Sequence, residues 1–221
     1  MSRGFVLLPF ALIVVPLLVA ASFVAYVLWP RWPSDAIALT APALPITVAG
    51  TLFEVPPAAI RTAVQRHPGP HERIDLAFQW PSLAPPPAGA SAKTGSDPSL
   101  RLFVTIASLG SLLSPADRLR DVYPRYVEAQ AVRGAAGLAV LPFRAGTPYE
   151  GEDLIYLAGN PDRFFTLCTR DSAVMPGICM HERVLGAADI SLRFPRDWLG
   201  NWQSVSAGFD RLLAQLHPQG H

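Results

Sequence analysis

Lysine is nearly missing from this chain. Of 18 basic residues only Lys93 is a lysine, and 17 carboxylates leave a net charge of +1. No basic run or stripe offsets that balance, so the electrostatic footprint of a nucleic-acid binder is lacking and no nucleic-acid partner is expected. Cysteine is scarce too: Cys168 and Cys179 are the only two, and they form no Cys-x-x-Cys pair. A zinc site would need further ligands at suitable spacing, and His181 is the one candidate near them. His67 and His71 stand four apart, as in a zinc-binding helix, but Pro68 and Pro70 forbid that helix and leave a solvated turn. Glu150, Glu152 and Asp153 lack the alternating oxygen ligands of a calcium loop and read as another solvated turn. There is no Gly-x-Ser-x-Gly elbow, and Lys93-Thr94 has no glycine framework for phosphate. No metal, cofactor or catalytic residue is assigned.

What the chain does have is an uninterrupted apolar run from Gly4 to Trp29 without a charged residue, closed by Pro30, Arg31, Trp32 and Pro33. About 20 apolar residues cover a hydrocarbon core of about 30 Å, so the run is long enough for a transmembrane helix. The rival is a cleaved signal peptide, because Val19-Ala20-Ala21 offers small residues for a peptidase. Against cleavage, the run continues from Ser22 to Trp29 and the basic start is Arg3 alone. Tyr26, Trp29 and Trp32 suit the far interface. Residues 1–33 are thus expected to form a membrane anchor and 34–45 a proline- and alanine-rich linker. Beyond the anchor, roughly 190 residues remain, the size of one domain, expected over 46–221.

Within that domain, Ile46 to Val55 reads as a strand. Pro56-Pro57 opens a short helix in which Ile60 and Val64 share a face, ended by His67-Pro68-Gly69-Pro70. Ile74, Leu76, Phe78 and Trp80 alternate with Asp75, Ala77 and Gln79, the pattern of a half-buried strand. Residues 84–99 have little to bury and are expected to form a mobile surface loop. Leu100, Leu102, Val104 and Ile106 mark the next strand. Ser114-Pro115-Ala116-Asp117 has the grammar of a helix start, and Pro124 must kink or split that helix. Five short strands follow, spaced as an antiparallel meander: 138–144, 153–158, 163–169, 178–185 and 188–194. Asp197 is expected to cap a last helix whose stripe from Trp198 to Leu216 covers the sheet. The fold class is therefore α+β, a mainly antiparallel sheet covered by helices behind one N-terminal transmembrane helix.

Cys168 and Cys179 sit on two strands joined by a short loop, and in an exported domain they are expected to form a disulfide worth about 3 kcal/mol by the loop-entropy argument. A disulfide favours an oxidising compartment, hence a periplasmic domain. If the cysteines pair and the next turn has three residues at Gly186, strand alternation sets Thr166, His181, Arg183, Ser191 and Arg193 on one face. Their donors would suit a carboxylate or phosphate group.

The chain resembles single-span exported proteobacterial proteins with no established activity. The resemblance rests on Phe53-Glu54-Val55-Pro56-Pro57-Ala58-Ala59-Ile60-Arg61, Asp75-Leu76, Trp80-Pro81, Arg118, Val122-Tyr123, the cysteines, and Arg193-Phe194-Pro195 with Trp202. It implies one exported domain from about Ile46 and labels no residue catalytic. Together these readings point to an inner-membrane-anchored periplasmic protein that binds other envelope proteins without catalysis. The alternative is small-anion binding or sensing at the His181/Arg193 face.

Overall fold

The computed structural model describes residues 14–24, 26, 37–86, 100–110 and 112–218. The chain divides into two units, Met1–Asp35 and Ala36–His221. In the first, residues 14–24 are helical (α1), with Val15, Leu17, Leu18, Val19 and Phe23 exposed. Among the described residues no helix is long and apolar enough to cross a membrane. More than half of the expected anchor, Gly4 to Trp29, lies outside them, as do residues 87–99 of the expected mobile loop.

The second unit opens with β1 (Leu44–Val48), which begins inside the stretch expected as linker. Ala49 and Gly50 both take positive φ, 48° and 78°, the backbone of a two-residue turn matched to strand twist. The chain returns as β2 (Thr51–Val55), so the single strand expected over Ile46 to Val55 is a hairpin. Its inward side chains Ile46, Val48, Phe53 and Val55 are buried. The expected short helix is instead two separate 3-10 turns, Pro57–Ala59 and Ala63–Gln65. Between them Ile60 is extended and bridges Leu76. That break separates the residues expected to share a face: Ile60 is buried, whereas Val64 is 77% exposed. β3 (Gly69–His71) lies parallel to β1, completing a sheet of order β2-β1-β3.

β4 (Arg73–Gln79) and β5 (Arg101–Ser108) start the large sheet. The outer edge of β4 is closed by the Ile60 bridge and, beyond it, by a side chain. Gln65 Oε1 accepts from the Asp75 N–H at 3.2 Å, and Gln65 Nε2 donates to the Arg73 carbonyl at 3.2 Å, so two edge groups that would template another chain are occupied. Next comes α2 (Pro115–Asp117), where Ser114 Oγ accepts from the Asp117 N–H at 3.1 Å as its sequence grammar requires. The helix then widens into a π turn, Arg118–Val122, and tightens into a 3-10 turn, Tyr123–Arg125, which is how the backbone accommodates Pro124.

The meander follows: β6 (Val132–Arg133), β7 (Leu138–Pro142), β8 (Glu152–Leu157), β9 (Phe165–Thr169), β10 (Ile178–Leu185) and β11 (Ala188–Pro195). β11 pairs antiparallel with β5, giving an eight-stranded sheet of order β4-β5-β11-β10-β9-β8-β7-β6. After β11 the chain makes a 3-10 turn, Arg196–Asn201, before α3 (Trp202–Leu216). Asp197 therefore does not cap the helix. It sits in the preceding 3-10 turn and makes no side-chain capping bond.

The core lies between one face of the large sheet and α3 with the β1/β2 hairpin. From α3, Trp202, Val205, Phe209, Leu212 and Leu216 meet sheet residues such as Leu76, Val104, Ile190, Leu192 and Phe194. The Trp202 indole N–H is satisfied by the Ala136 carbonyl at 3.1 Å, which lets a large ring enter an apolar interior. Gly208 is required by closeness: a Cβ there would lie 2.5 Å from the Trp80 ring.

Candidate functional site

The disulfide expected from the sequence is present. Cys168 and Cys179 are directly opposed on β9 and β10 with Cα atoms 4.0 Å apart, and both are buried in the main core. A buried cross-strand disulfide is the chemistry of an oxidising compartment. The face it occupies is not the solvent face, however, and the five residues expected to join there do not.

The difference arises at the β10/β11 turn. It contains two residues, Gly186 and Ala187, since Leu185 pairs with Ala188. A three-residue turn would have set His181 opposite Arg193. With two, His181 faces Leu192, Arg183 faces Ile190, and Arg193 faces Met180. A one-residue change of register exchanges the faces, so Ser191 and Arg193 lie on the side of the sheet away from Thr166, His181 and Arg183. The shared anion face is thereby lost.

On the core side, each polar group is already committed. Thr166 Oγ1 donates to the Met180 carbonyl at 2.8 Å. The His181 ring is 2% exposed, stacked on Phe164 at 4.9 Å, with the Phe209 ring edge-on at 5.6 Å. Arg183 Nε sits 3.2 Å from His181 Nε2 and can only donate, so Nε2 accepts and Nδ1 carries the proton toward the Phe165 carbonyl 2.7 Å away. Burial drives the His181 pKa down to about 4, the Phe165 carbonyl works against this, and the Arg183 charge adds to it. His181 is thus neutral at pH 7 and, with both ring nitrogens committed, is not the anion donor expected of it.

Asp153 was grouped with Glu150 and Glu152 as a solvated turn, yet it is 4% exposed. It lies opposite Cys168 across the β8/β9 pair, where Arg170 Nε meets Oδ1 at 2.8 Å and Arg196 Nη2 meets Oδ2 at 2.6 Å. The two arginines neutralise the buried carboxylate and lash the base of the β9/β10 loop to the end of β11. Composition held no sign of this, because the three partners are 17 and 43 residues apart. Glu152 is half-buried, and burial raises its pKa.

The other face of the sheet is divided. Over β8 and β9, and at Glu182 on β10, it is covered by the 114–127 segment, where Tyr123, Val127, Phe143, Leu154, Phe165 and Leu167 form a second core. Arg118 fastens that cover: Nη2 bonds Glu182 Oε2 at 2.5 Å and Nε donates to the Tyr123 hydroxyl at 3.0 Å. Burial opposes the Arg118 charge, but Glu182 outweighs it and the Arg118 pKa rises. Over β4, β5, β11 and the Ile178 end of β10 no strand or helix among the described residues covers the sheet, although Ala77 is buried and the outward residues of β5 are half-buried. There Phe103 stands across from Ala77 and Arg193 on the neighbouring strands, with the Arg61 guanidinium 4.7 Å above its ring. Arg193 is exposed and has no hydrogen-bond partner among the described residues, while Asp75 is occupied by Arg73 and Thr105. The signal for this patch was legible: Phe103 is the one aromatic side chain at the outward positions of β5, between Arg101 and Thr105. Among the described residues no three His, Cys, Asp or Glu side chains are grouped to hold a metal ion.

No protein-family model matches the chain, and no curated protein does. Among solved structures, the immunity protein Smlt3025 of the Stenotrophomonas maltophilia type IV secretion system is similar over 79% of this chain and 92% of its own, at 15% identity and a TM-score of 0.52. The iron-regulated outer membrane lipoprotein FrpD of Neisseria meningitidis aligns with 81% of this chain and 96% of its own, at 11% identity and a TM-score of 0.46. The likeness to Smlt3025 is one of fold.

Proposed function

We propose that this chain is a non-enzymatic periplasmic domain, tethered to the inner membrane by Gly4 to Trp29, that works by binding another envelope protein. The observation that carries this reading is the part of the large sheet that no strand or helix among the described residues covers, with Phe103 between Arg61 and Arg193. Aromatic and arginine side chains are enriched where proteins bind one another, and an arginine with no hydrogen-bond partner among the described residues beside a half-exposed ring can provide both charge and apolar contact. The cross-strand disulfide supports the oxidising compartment. The fold shared with an immunity protein of a secretion system, and the resemblance to single-span exported proteins, support a role in recognition at the envelope. The apolar run without a charge supports the tether.

The test is purification of the full chain from its own membranes in mild detergent, with Phe103→Asp, Arg193→Glu and Arg211→Ala compared with wild type. One envelope protein should accompany wild type and the Arg211→Ala control on α3, and fall at least tenfold with either sheet-face variant. A companion indifferent to both face variants would overturn the reading.

A further inference from the structure

We infer that the 170–177 loop, continued by Ile178 and Met180 on the bare sheet face, is a preformed plug for an apolar cleft edged by carboxylates on the partner protein. This rests on the binding role proposed above and adds the chemistry of the partner.

The loop closes the β9/β10 hairpin just beyond the disulfide, and its polar groups are turned inward on one another. Asp171 Oδ1 accepts from the Gly177 N–H at 2.7 Å, Ser172 Oγ accepts from the Met175 N–H at 2.9 Å, and the Ser172 N–H donates to the Met175 carbonyl at 3.0 Å. Arg196 grips both ends, donating from Nη1 to the Thr169 carbonyl at 3.0 Å and from its backbone N–H to the Gly177 carbonyl at 2.9 Å. Gly177 is packed so closely that a Cβ would lie 2.5 Å from the Thr169 carbonyl oxygen. Beside the exposed Arg170, Asp171 and Ser172, the tip faces water with apolar side chains: Val174 is 89% exposed and Met175 69%. Loop tips are ordinarily small and polar, so a tightly bonded loop that holds its apolar side chains out is arranged for contact. Fixing its conformation beforehand lowers the ordering cost of binding, and methionine adapts to an irregular pocket.

The same strand carries the surface onward. Ile178 and Met180 alternate onto the bare face, Met180 beside Arg193 and Arg193 beside Phe103 under Arg61. An apolar strip bordered by cations calls for an apolar cleft bordered by anions. A lipid surface fits less well, because the loop carries the exposed carboxylate Asp171 and no aromatic residue to anchor at an interface. A second copy of the chain would bring cation to cation.

A photo-crosslinking amino acid placed at Met175, Met180, Phe103 or Arg211 of the full chain in living cells tests this. Met175 and Met180 should each yield one adduct with the same second protein, at least tenfold above Arg211. The linked peptide should carry apolar residues with Asp or Glu beside them. Val174→Asp should remove at least nine-tenths of the Met175 adduct while leaving the thermal midpoint unchanged, since that side chain is in water. A protein adduct at Phe103 with none at Met175 would overturn the plug and leave the binding role standing. A lipid adduct, or an adduct of twice the chain mass, would overturn the partner chemistry. No protein adduct at any of the four positions would overturn both.

Discussion

The two faces of the eight-stranded sheet begin from the same period-two alternation and end differently. One is covered from β4 to β8 by α3 and the β1/β2 hairpin, and the polar residues that fall on it, Thr166, His181 and Asp153, are each bonded into the interior. Among the described residues the other is covered only where the 114–127 segment and the Arg61 side chain reach, and its polar and aromatic residues over β5 and β11 are half-buried or, at Arg193, exposed. A buried polar group without a partner costs stability, so polar residues on the first face end as structure, whereas the Arg193 side chain on the second has no hydrogen-bond partner among the described residues and is available for recognition.

That contrast is broken most directly by emptying the dry side. Trp202→Ala or Phe209→Ala should each cost roughly 3 kcal/mol or more in denaturant unfolding under oxidising conditions, because transfer and cavity terms add. Phe103→Ala, outside the main core, should cost less than about 1 kcal/mol by the same measurement. Equal losses would show that the bare face is as much core as the other.

A second effect tests the His181 environment. With a folded pKa of about 4 against 6.5 unfolded, the unfolded chain binds the extra proton between those values. The contribution of neutral His181 is therefore complete above pH 6.5, is lost as pH falls, and levels off below about 4. The shift corresponds to a loss of up to about 3 kcal/mol over that window. His181→Gln should flatten the stability difference between pH 7.5 and pH 4.5. An unchanged slope would mean that other groups carry it.

Gly208→Ala should come next. The gain in helix propensity of up to about 1 kcal/mol is opposed by the clash with Trp80, so net destabilisation of about 1 kcal/mol is expected. A stabilised variant would show that Trp80 can yield. Smallest of all, Arg193→Glu should change unfolding stability by less than about 0.5 kcal/mol while reducing partner recovery, separating recognition from folding.

Much of this was legible in the chain. The alternation from Ile74 to Trp80 and from Leu100 to Ile106, the regular spacing of five short strands and the helical stripe from Trp198 to Leu216, whose first turn is 3-10, identified the sheet, most of its meander and its cover. These are local periodicities, and burial enforces them. The pairing of Cys168 with Cys179 was legible for the same reason, as both lie on one hairpin. The single strand assumed over Ile46 to Val55 failed where Ala49-Gly50 turns, since alanine carries little turn signal. The anion site failed at Gly186-Ala187, where nothing local distinguishes a turn of two residues from one of three.

What the sequence by itself determined was thus most strands of the large sheet, its last helix and which side of each strand is apolar, because side-chain period and hydrophobicity act within a few residues. Only the tertiary structure decided which polar residues became structure and which stayed available. That depends on what packs above each strand: α3 and the Phe164, Phe209 and Arg183 side chains enclose His181 and hold it neutral, Arg170 and Arg196 converge on Asp153, and the cover fastened by Arg118 stops short of Arg193. Each of these outcomes joins residues distant in sequence, and burial and electrostatic neighbours at that range are properties of the folded packing, not of any stretch of chain.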